Sequence, residues 1–272
     1  MPRWSTKTSR QGGYILPLIS IITVVFNGAK NIEKTIKSVI GQSYQSIEYI
    51  IIDGGSTDGT LAIIDKYRQD ISTLVSEPDD GIYDAMNKGI SLANGKIIGI
   101  INSDDYYEEH IIAYIVAESR KSLSPGIIYG NMNIINSEGK IVHTLKKSNH
   151  EKLIPRMSMW VPHPTVFVSR EIYRTIGVYN TEYKISADYE FLVRSYKRGV
   201  QFHKINKIIS SFQLGGISTS ESKKILQRKI IEKIYIYKTY QTSPIILVLR
   251  VLGYVLHYLR SKITFASNTK EI

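Results

Sequence analysis

The first hundred residues alternate between short runs of β-branched residues and longer amphipathic stretches, and this alternation constrains the fold more than any other feature. Residues 19–26, 47–52 and 97–101 are nearly continuous apolar runs of strand length, with amphipathic stretches at 32–40 and 60–68 between them. Continuous apolar strands separated by helices are typical of a parallel sheet that is covered on both faces. The sequence therefore predicts an α/β fold in which ligands bind beyond the carboxyl ends of the strands.

The rest of the chain follows a different rhythm. Residues 126–135 and 140–145 predict a β-hairpin, because the link at 136–139 contains Asn136 and Gly139, residue types that tolerate positive φ angles. Further elements are predicted as helices at 82–93, 170–176, 187–198 and 220–240 and as a strand at 165–168.

The length of 272 residues suits one main domain with an appendage. We expect residues 1–17 to be a flexible N-terminal tail, 18–218 to be the folded domain and 219–272 to be a basic amphipathic helical tail. The absence of cysteine excludes disulfides and thiolate metal sites, so any metal ligand is oxygen or histidine. Because residues 1–13 are polar and contain no signal-peptide core, we expect a cytoplasmic protein.

The formal net charge of +11 is concentrated in the tail, since Glu221, Glu232 and Glu271 are the only acids past residue 200. Such a charge indicates an anionic partner, and a nucleotide, nucleic acid or an acidic membrane surface would each qualify. The apolar segment at 244–265 has the length of a membrane span but is interrupted by Arg250, His257, Arg260 and Lys262. A helix lying in the membrane surface explains this pattern, and packing on the protein's own core or on another subunit is the open alternative.

Acidic side chains follow two of the predicted strands. Asp53 opens a Gly-rich turn directly after the strand at 47–52, and Asp104 and Asp105 follow the strand at 97–101. Adjacent carboxylates at the end of a buried strand are costly unless a cation or a hydrogen-bonding ligand compensates them. Both groups are therefore expected to face one shared crevice.

Four sequence blocks, in order, resemble the family-two glycosyltransferases. The blocks are SIITVVFN (20–27) with SVIGQSY (38–44), IDGGSTDGT (52–60), GIYDAMNKG (81–89) and NSDD (102–105). The resemblance covers about residues 19–216 and leaves the tail outside. It implies a GT-A fold, which is Rossmann-like with a mostly parallel central sheet and helices on both faces, here followed by a C-terminal helical extension. It also implies a nucleotide-diphosphate-sugar donor, a divalent cation (Mn²⁺ or Mg²⁺) and inversion at the sugar carbon.

The resemblance assigns roles to the acids of the crevice. By position, Asp105 resembles the metal-contacting acid, and Asp104 resembles the residue that contacts the ribose, or the metal through water. The family usually has another acid two positions before Asp104, where this chain has Asn102. Asp53 resembles the acid that holds the nucleobase, although many relatives have a second acid where this chain has Gly54, and stabilisation of the turn is the alternative role.

Two residues of the third block are candidates for the diphosphate side of the donor. Asn87 offers an amide and Lys88 a positive charge near the stretch that leads to the metal strand. A solvated position on the helix explains Lys88 equally well. The segment around Gly215 and Gly216 resembles a loop that closes over the diphosphate, with Ser218 and Lys223 near phosphate oxygens, and an ordinary connecting loop is the alternative.

The acceptor side needs a base that removes a hydroxyl proton as the oxygen attacks opposite the leaving nucleotide. Asp188, in the block SADYEFL (186–192), resembles the family's catalytic base, and capping of its helix is the alternative. Glu190 is expected to face elsewhere on the helix. His163, between Pro162 and Pro164, resembles a histidine on the acceptor side, with a purely structural role as the alternative.

We therefore expect an inverting sugar transferase that acts on a lipid-linked saccharide acceptor in polysaccharide biosynthesis, peripheral on the inner face of the cell membrane. A non-catalytic nucleotide-sugar sensor or scaffold is the main alternative, and an enzyme that transfers the nucleotide instead of the sugar is another. Nucleic-acid binding is not expected, because the cations alternate with leucine and isoleucine and form no recognition motif. The first strand also lacks the glycine spacing of a dinucleotide-binding enzyme.

Overall fold

The protein is described by a computed structural model at residues 10–11, 14–121, 124–146, 161–214 and 223–240. A short antiparallel pair comes first, formed by Arg10–Gln11 (β1) and Tyr14–Ile15 (β2). The parallel half of the main sheet has the strands Ile19–Val25 (β3), Ile47–Asp53 (β4), Thr73–Ser76 (β5) and Ile97–Asn102 (β6), in the spatial order β5-β4-β3-β6. Helices Ile32–Ile40 (α1), Thr60–Asp65 (α2) and Ile82–Leu92 (α3) connect these strands.

The second half of the sheet continues from β6. Its strands are Tyr106–Tyr107 (β7), Gly126–Ile135 (β8), Ile141–Leu145 (β9), Phe167–Ser169 (β10) and Gln201–Gln213 (β11). The helices are Ile111–Ser119 (α4), Arg170–Ile176 (α5), Ala187–Lys197 (α6) and Lys223–Thr239 (α7). Strand β10 lies antiparallel between β6 and β8, so β8 and its parallel neighbour β11 run in the same direction as β6. The sheet is therefore mostly parallel within the described residues, as predicted.

Both faces of the sheet are buried, because successive side chains of a strand point to opposite faces and helices cover each face. Ile22 and Ile50 lie in one apolar cluster, and Ile21 and Ile51 lie in the other. Helix α3 approaches β3 so closely that a Cβ on Gly89 would lie 2.4 Å from Ile22 Cγ2. This contact fixes α3 against the centre of the parallel half.

Most predicted elements match the observed ones, and the exceptions have local causes. Helices α1 and α5 and the β8–β9 hairpin lie at the predicted positions. Helix α2 ends at Asp65, earlier than predicted, and a short 3₁₀ turn follows at Arg68–Asp70. The strand predicted at 165–168 begins only at Phe167, because His163–Thr165 forms a 3₁₀ turn around Pro164.

Helix α7 packs against helix α6. Tyr189 and Val193 of α6 form a small buried cluster with Ile236 and Tyr237 of α7. None of the helices within the described ranges is long and apolar enough to cross a membrane. The apolar segment at 244–265 lies outside the described residues, and so does most of the predicted N-terminal tail.

Candidate active site

The carboxyl ends of β3, β4 and β6 lie side by side, and we call this region of the sheet the carboxyl edge. In the strand register, Asp53 pairs with Val25, and Asn102 pairs with Val24. The fold therefore brings the two acidic turns predicted from the sequence to the same edge, where open α/β sheets bind ligands.

Asp53 is fully buried and uses only one of its two carboxylate oxygens within the protein. Oδ2 accepts hydrogen bonds from the backbone amides of Gly55 (3.2 Å) and Ser56 (3.0 Å) and from the hydroxyl of Ser76 (2.7 Å). Oδ1 is buried without a hydrogen-bond partner. Asp53 thus stabilises its turn, and its second oxygen has unused hydrogen-bonding capacity, which is unusual for a buried group.

Gly54 lies close to the carboxylate of Asp79, which belongs to the loop between β5 and α3. A Cβ on Gly54 would lie 2.3 Å from Asp79 Oδ2 and 3.5 Å from Cδ2 of Phe26. Asp79 Oδ1 accepts a hydrogen bond from the amide of Gly81 (2.8 Å). The carboxylate of Asp79 therefore occupies the space that a side chain at position 54 would enter. The Phe26 residue beside it is 64% exposed.

The loops after β3 and β4 are joined by reciprocal hydrogen bonds. The amide of Asn27 donates to Ser56 Oγ (2.7 Å), and the amide of Thr57 donates to Asn27 Oδ1 (2.9 Å). Asn27 has a φ of 50°, which turns the chain away from the strand. Phe26 is therefore held beside Asp53 by a loop that is tied to the Asp53 turn.

Asp104 and Asp105 have different surroundings. Asp105 is fully buried, its Oδ1 accepts a hydrogen bond from the amide of Gln213 at the end of β11 (3.1 Å), and its Oδ2 is buried without a partner. Burial, and secondarily the charge of Asp104, raises the pKa of Asp105 well above its ordinary value. Asp104 is only partly buried, and this burial raises its pKa as well.

These residues fit a divalent cation that is shared with a phosphate ligand. Within the described ranges, no three histidine or acidic side chains come together as a metal site. Magnesium, however, is usually held by one or two carboxylates together with substrate phosphates. Asp105 Oδ2 and the similarly buried and unpartnered Oδ1 of Asn102 are hard oxygen atoms, as such a cation requires.

Asp188 lies in the first turn of α6 and faces α3. The hydroxyl oxygen of Tyr83 lies 2.9 Å from both Asp188 Oδ1 and the carbonyl oxygen of Ile185. Burial, followed by the charge of Asp188, raises the pKa of Tyr83 well above its ordinary value, so Tyr83 stays a hydrogen-bond donor. The residue that caps the helix is Ser186, so Asp188 does not serve as the N-cap. Tyr83 belongs to the first turn of α3, and Asp188 therefore lies towards the carboxyl edge.

His163 lies next to this group. Its Nε2 is 3.4 Å from the hydroxyl oxygen of Tyr179, and its Nδ1 is buried without a partner. Burial lowers the pKa of His163, while the carboxylate of Asp188 acts in the opposite direction. The imidazole is therefore neutral at neutral pH and is within electrostatic reach of Asp188.

Two predicted donor-binding residues have other partners. The side-chain amide of Asn87 donates to the carbonyl of Tyr179 (2.9 Å) and accepts from its backbone amide (3.0 Å), so within the described residues it has a structural role, and its role at the diphosphate stays a prediction. Lys88 forms ion pairs with Glu77 (2.9 Å) and Asp84 (3.3 Å). The charge of Lys88 is thus neutralised on the helix surface, so the alternative of a surface role is the one that the structure favours.

The structure describes other residues that bear on the predictions. Glu190 forms a two-pronged ion pair with Arg194 and faces away from Asp188, as expected. Glu232 of α7 is a buried acid that the sequence reasoning missed, because nothing in a basic helix indicates its partners. Gly215, Gly216, Ser218 and the side chain of Lys223, which were predicted to approach the diphosphate, lie outside the described residues.

Residues 20–177 match the sequence profile of Glycosyl transferase family 2. The chain belongs to this family. An uncharacterized glycosyltransferase of Mycobacterium tuberculosis, MT1564, is 32% identical over 186 residues, which are 66% of this chain and 69% of that protein. The hyaluronan synthase of Pasteurella multocida is 29% identical over 219 residues, which are 79% of this chain but only 22% of the synthase. The predicted class of enzyme, a family 2 glycosyltransferase, is therefore confirmed.

Two solved structures share the fold of this glycosyltransferase. TarS 1–349 of Staphylococcus aureus in complex with UDP-GlcNAc has a TM-score of 0.62 at 18% identity, with 81% of this chain and 66% of that chain covered. The mannosyltransferase PcManGT of Pyrobaculum calidifontis in complex with GDP-Man and Mn²⁺ has a TM-score of 0.61 at 15% identity, with 94% and 76% covered. The predicted GT-A fold is confirmed, and this chain spans slightly less than two thirds of the TarS chain.

Proposed function

We propose that this glycosyltransferase moves a sugar from a nucleotide-diphosphate sugar to a hydroxyl of a lipid-linked saccharide, with inversion, in polysaccharide biosynthesis. The observation that carries the proposal is the pair of unpartnered carboxylate oxygens, Asp53 Oδ1 and Asp105 Oδ2, at the ends of neighbouring parallel strands. Buried unpaired oxygens are rare without a ligand. The names of two relatives, hyaluronan synthase and a PGL/p-HBAD biosynthesis glycosyltransferase of Mycobacterium bovis, support a role in glycan assembly.

The nucleobase of the donor fits the group formed by Asp53, Asp79 and Phe26. A base presents N–H donors at its edge, which pair with carboxylate oxygens, and a flat face, which stacks on an exposed aromatic ring. Asp53 Oδ1 and the carboxylate of Asp79 supply the acceptors, and the exposed Phe26 supplies the ring. The UDP-GlcNAc and GDP-Man complexes of the two structural neighbours support a donor of this chemical class.

Asp104 and Asp105 would hold the divalent cation, and the Mn²⁺ of the mannosyltransferase complex supports its presence. When bound, the cation neutralises the negative charge that develops on the departing diphosphate. The difference in burial favours Asp104 as the carboxylate that faces the cation from the crevice, with Asp105 anchored to the Gln213 amide. This division of roles reverses the one that the sequence resemblance implies.

Asp188 is proposed as the general base. A single displacement with inversion needs one group that takes the proton from the acceptor hydroxyl on the face opposite the leaving diphosphate. The Tyr83 hydroxyl holds one carboxylate oxygen of Asp188, which leaves the other for the acceptor. His163 is neutral and has an unpaired Nδ1, so it provides a second polar contact for a sugar hydroxyl.

The exposed side of α7 supports a location at the inner face of the cell membrane. Ile231 (52% exposed) and Tyr235 (60% exposed) lie on one side of the helix with the exposed residues Lys224 and Lys238. Cations alternating with apolar side chains along one face favour the surface of an anionic bilayer. Such a position would bring the enzyme close to a lipid-linked acceptor.

A screen of nucleotide sugars tests the donor part of the proposal. We expect at least one donor, with UDP-GlcNAc and GDP-Man as the first probes, to raise the melting temperature in a Mn²⁺-dependent manner. The Asp104→Asn variant should lose the Mn²⁺ dependence, because a neutral amide binds the cation weakly. If no donor in a broad panel stabilises the wild type, the proposed donor-binding site is refuted.

The Asp188→Asn variant separates the enzyme from a non-catalytic sensor. The enzyme should keep donor-induced stabilisation in this variant and lose about 10²- to 10⁴-fold in transfer rate, the usual contribution of a general base. A wild-type protein that binds donor but shows no turnover with any acceptor or with water would support the sensor instead.

A further inference from the structure

Glu232 of helix α7 forms a cluster of hydrogen bonds with the segment that precedes helix α6. Oε1 of Glu232 accepts a hydrogen bond from the amide of Lys184 (2.8 Å), and Oε2 accepts from the amides of Ile185 (3.0 Å) and Ser186 (2.9 Å). Arg228, one turn earlier on α7, donates to Oε1 (3.2 Å). Glu232 is buried, and its bond to the Ser186 amide is buried with it, whereas Arg228 is half exposed.

The three amides bound by Glu232 belong to the segment that leads directly into α6. Ser186 is the N-cap of α6, and its carbonyl accepts the first helical bond, from the amide of Glu190 (2.9 Å). No side chain of α6 itself caps this end of the helix. The carboxylate of Glu232 therefore binds the amide of the N-cap residue and the two amides before it, and so fixes the entry of the chain into α6.

This segment is connected to Asp188 by a single hydroxyl. The oxygen of Tyr83 lies 2.9 Å from the Ile185 carbonyl and 2.9 Å from Asp188 Oδ1. The peptide group between Ile185 and Ser186 is thus held from both sides, because Glu232 accepts from its amide and the Tyr83 hydroxyl meets its carbonyl. A shift of this segment would move the Tyr83 hydroxyl, the Asp188 carboxylate, or both.

We propose that Glu232 is a positioning residue for Asp188, and that helix α7 is therefore part of the catalytic unit although it lies outside the residues that match the family. Glu232 does not touch the substrate. It acts through the backbone at 184–186, and through Tyr83 it sets where the Asp188 carboxylate stands. The inference rests on the proposed role of Asp188 as the base.

A double-mutant cycle between Glu232→Gln and Tyr83→Phe tests the proposal, with Glu118→Gln as the matched control. Glu118, on helix α4, forms an ion pair with Lys121 and, within the described residues, makes no contact with Glu232, Tyr83 or Asp188. The reaction is followed as release of nucleoside diphosphate from the donor that stabilises the wild type, in the presence of Mn²⁺. Donor-induced stabilisation of each variant shows that the variant is folded and keeps its donor pocket.

We expect Glu232→Gln to lower kcat by about 10- to 100-fold, as displacement of a catalytic group by about 1 Å does. The KM for the donor should stay within about twofold, because the interaction acts only on the chemical step. Glu232→Asp, which keeps the charge on a shorter side chain, should restore part of the loss. The double variant should be no slower than the slower single variant, since both changes break one connection.

Three results would overturn the inference. The first is a wild-type kcat in Glu232→Gln. The second is a loss that multiplies with that of Tyr83→Phe, because Glu232 would then act by another route. The third is a rise in the donor KM without a change in kcat. An unchanged rate in Asp188→Asn would instead refute the proposed base, so the two failures are distinguishable.

Discussion

Asp105→Asn should stabilise the protein in the absence of a divalent cation and should weaken the cation's effect on donor binding. The substitution keeps an oxygen that accepts the Gln213 amide, now 3.1 Å from Oδ1. It removes the charge that is buried next to Asp104, and it leaves the size of the side chain almost unchanged. The mutant therefore tests whether Asp105 lowers the stability of the cation-free protein while it contributes to cation binding.

The magnitude and the pH dependence follow from the raised pKa of Asp105. A carboxyl group whose folded-state pKa lies above its unfolded-state value holds its proton more tightly when folded. Its stability contribution is therefore greatest at low pH and is lost as pH rises from the unfolded-state pKa to the folded-state pKa. Each unit of this difference corresponds to about 1.4 kcal/mol. Burial and the Asp104 charge raise the pKa of Asp105 well above its ordinary value, so Asp105→Asn should be more stable than the wild type at neutral pH.

Thermal unfolding in EDTA measures this gain. For a protein of this size, about 1 kcal/mol corresponds to about 2–4 °C in Tm, so the variant should melt higher at neutral pH, by about 3–6 °C for each unit of pKa difference. The difference should shrink as pH falls and disappear below about pH 3, where Asp105 is protonated in both states. Asp104→Asn, at a partly buried site, should show the same trend with a smaller amplitude. A lower Tm for Asp105→Asn than for the wild type at neutral pH would contradict the reasoning.

Three further predictions concern the donor pocket, the fold and the membrane. Phe26→Ala should leave stability unchanged within about 0.5 kcal/mol, because the ring is exposed, and should weaken donor binding by about 5- to 150-fold in calorimetry; unchanged affinity would exclude stacking. Asn87→Ala should cost about 1–3 kcal/mol in chemical denaturation through its lost bonds to Tyr179, with an unchanged donor Kd for the folded protein; a weaker donor Kd at unchanged stability would support its predicted donor role instead. Lys224→Gln and Lys238→Gln should each weaken binding to phosphatidylserine vesicles by about 1 kcal/mol in a sedimentation assay and leave binding to phosphatidylcholine vesicles unchanged; wild-type affinity of both variants for phosphatidylserine vesicles would refute the membrane face.

The parallel half of the fold was predictable because its signals are local. The apolar runs that became β3, β4 and β6 are continuous, and the amphipathic stretch that became α1 lies between two of them. The convergence of Asp53 and Asp105 follows from topology, since parallel strands of one sheet end at the same edge. Asp188 could be placed only through the family resemblance, because its block is far from the other acids in sequence.

The contacts that could not be predicted concern residues whose partners are distant in sequence. The amide of Asn87 is taken up by the backbone of Tyr179, 92 residues away, and no local pattern indicates this pairing. Asp104 and Asp105 are adjacent, yet only the second is covered by β11, so their burial could not be ranked without the strand pairing. The ion pair of Lys88 with Asp84, by contrast, has the four-residue helical spacing and was visible from the sequence.

The central claim, that the carboxyl edge performs sugar transfer, is tested most directly by identifying the products that form from a stabilising donor and Mn²⁺. We predict that the wild type releases free nucleoside diphosphate. The Asp188→Asn variant should bind the same donor but release no nucleoside diphosphate. Release of pyrophosphate or of a nucleotide-linked product, or equal release of nucleoside diphosphate by both proteins, would contradict the account.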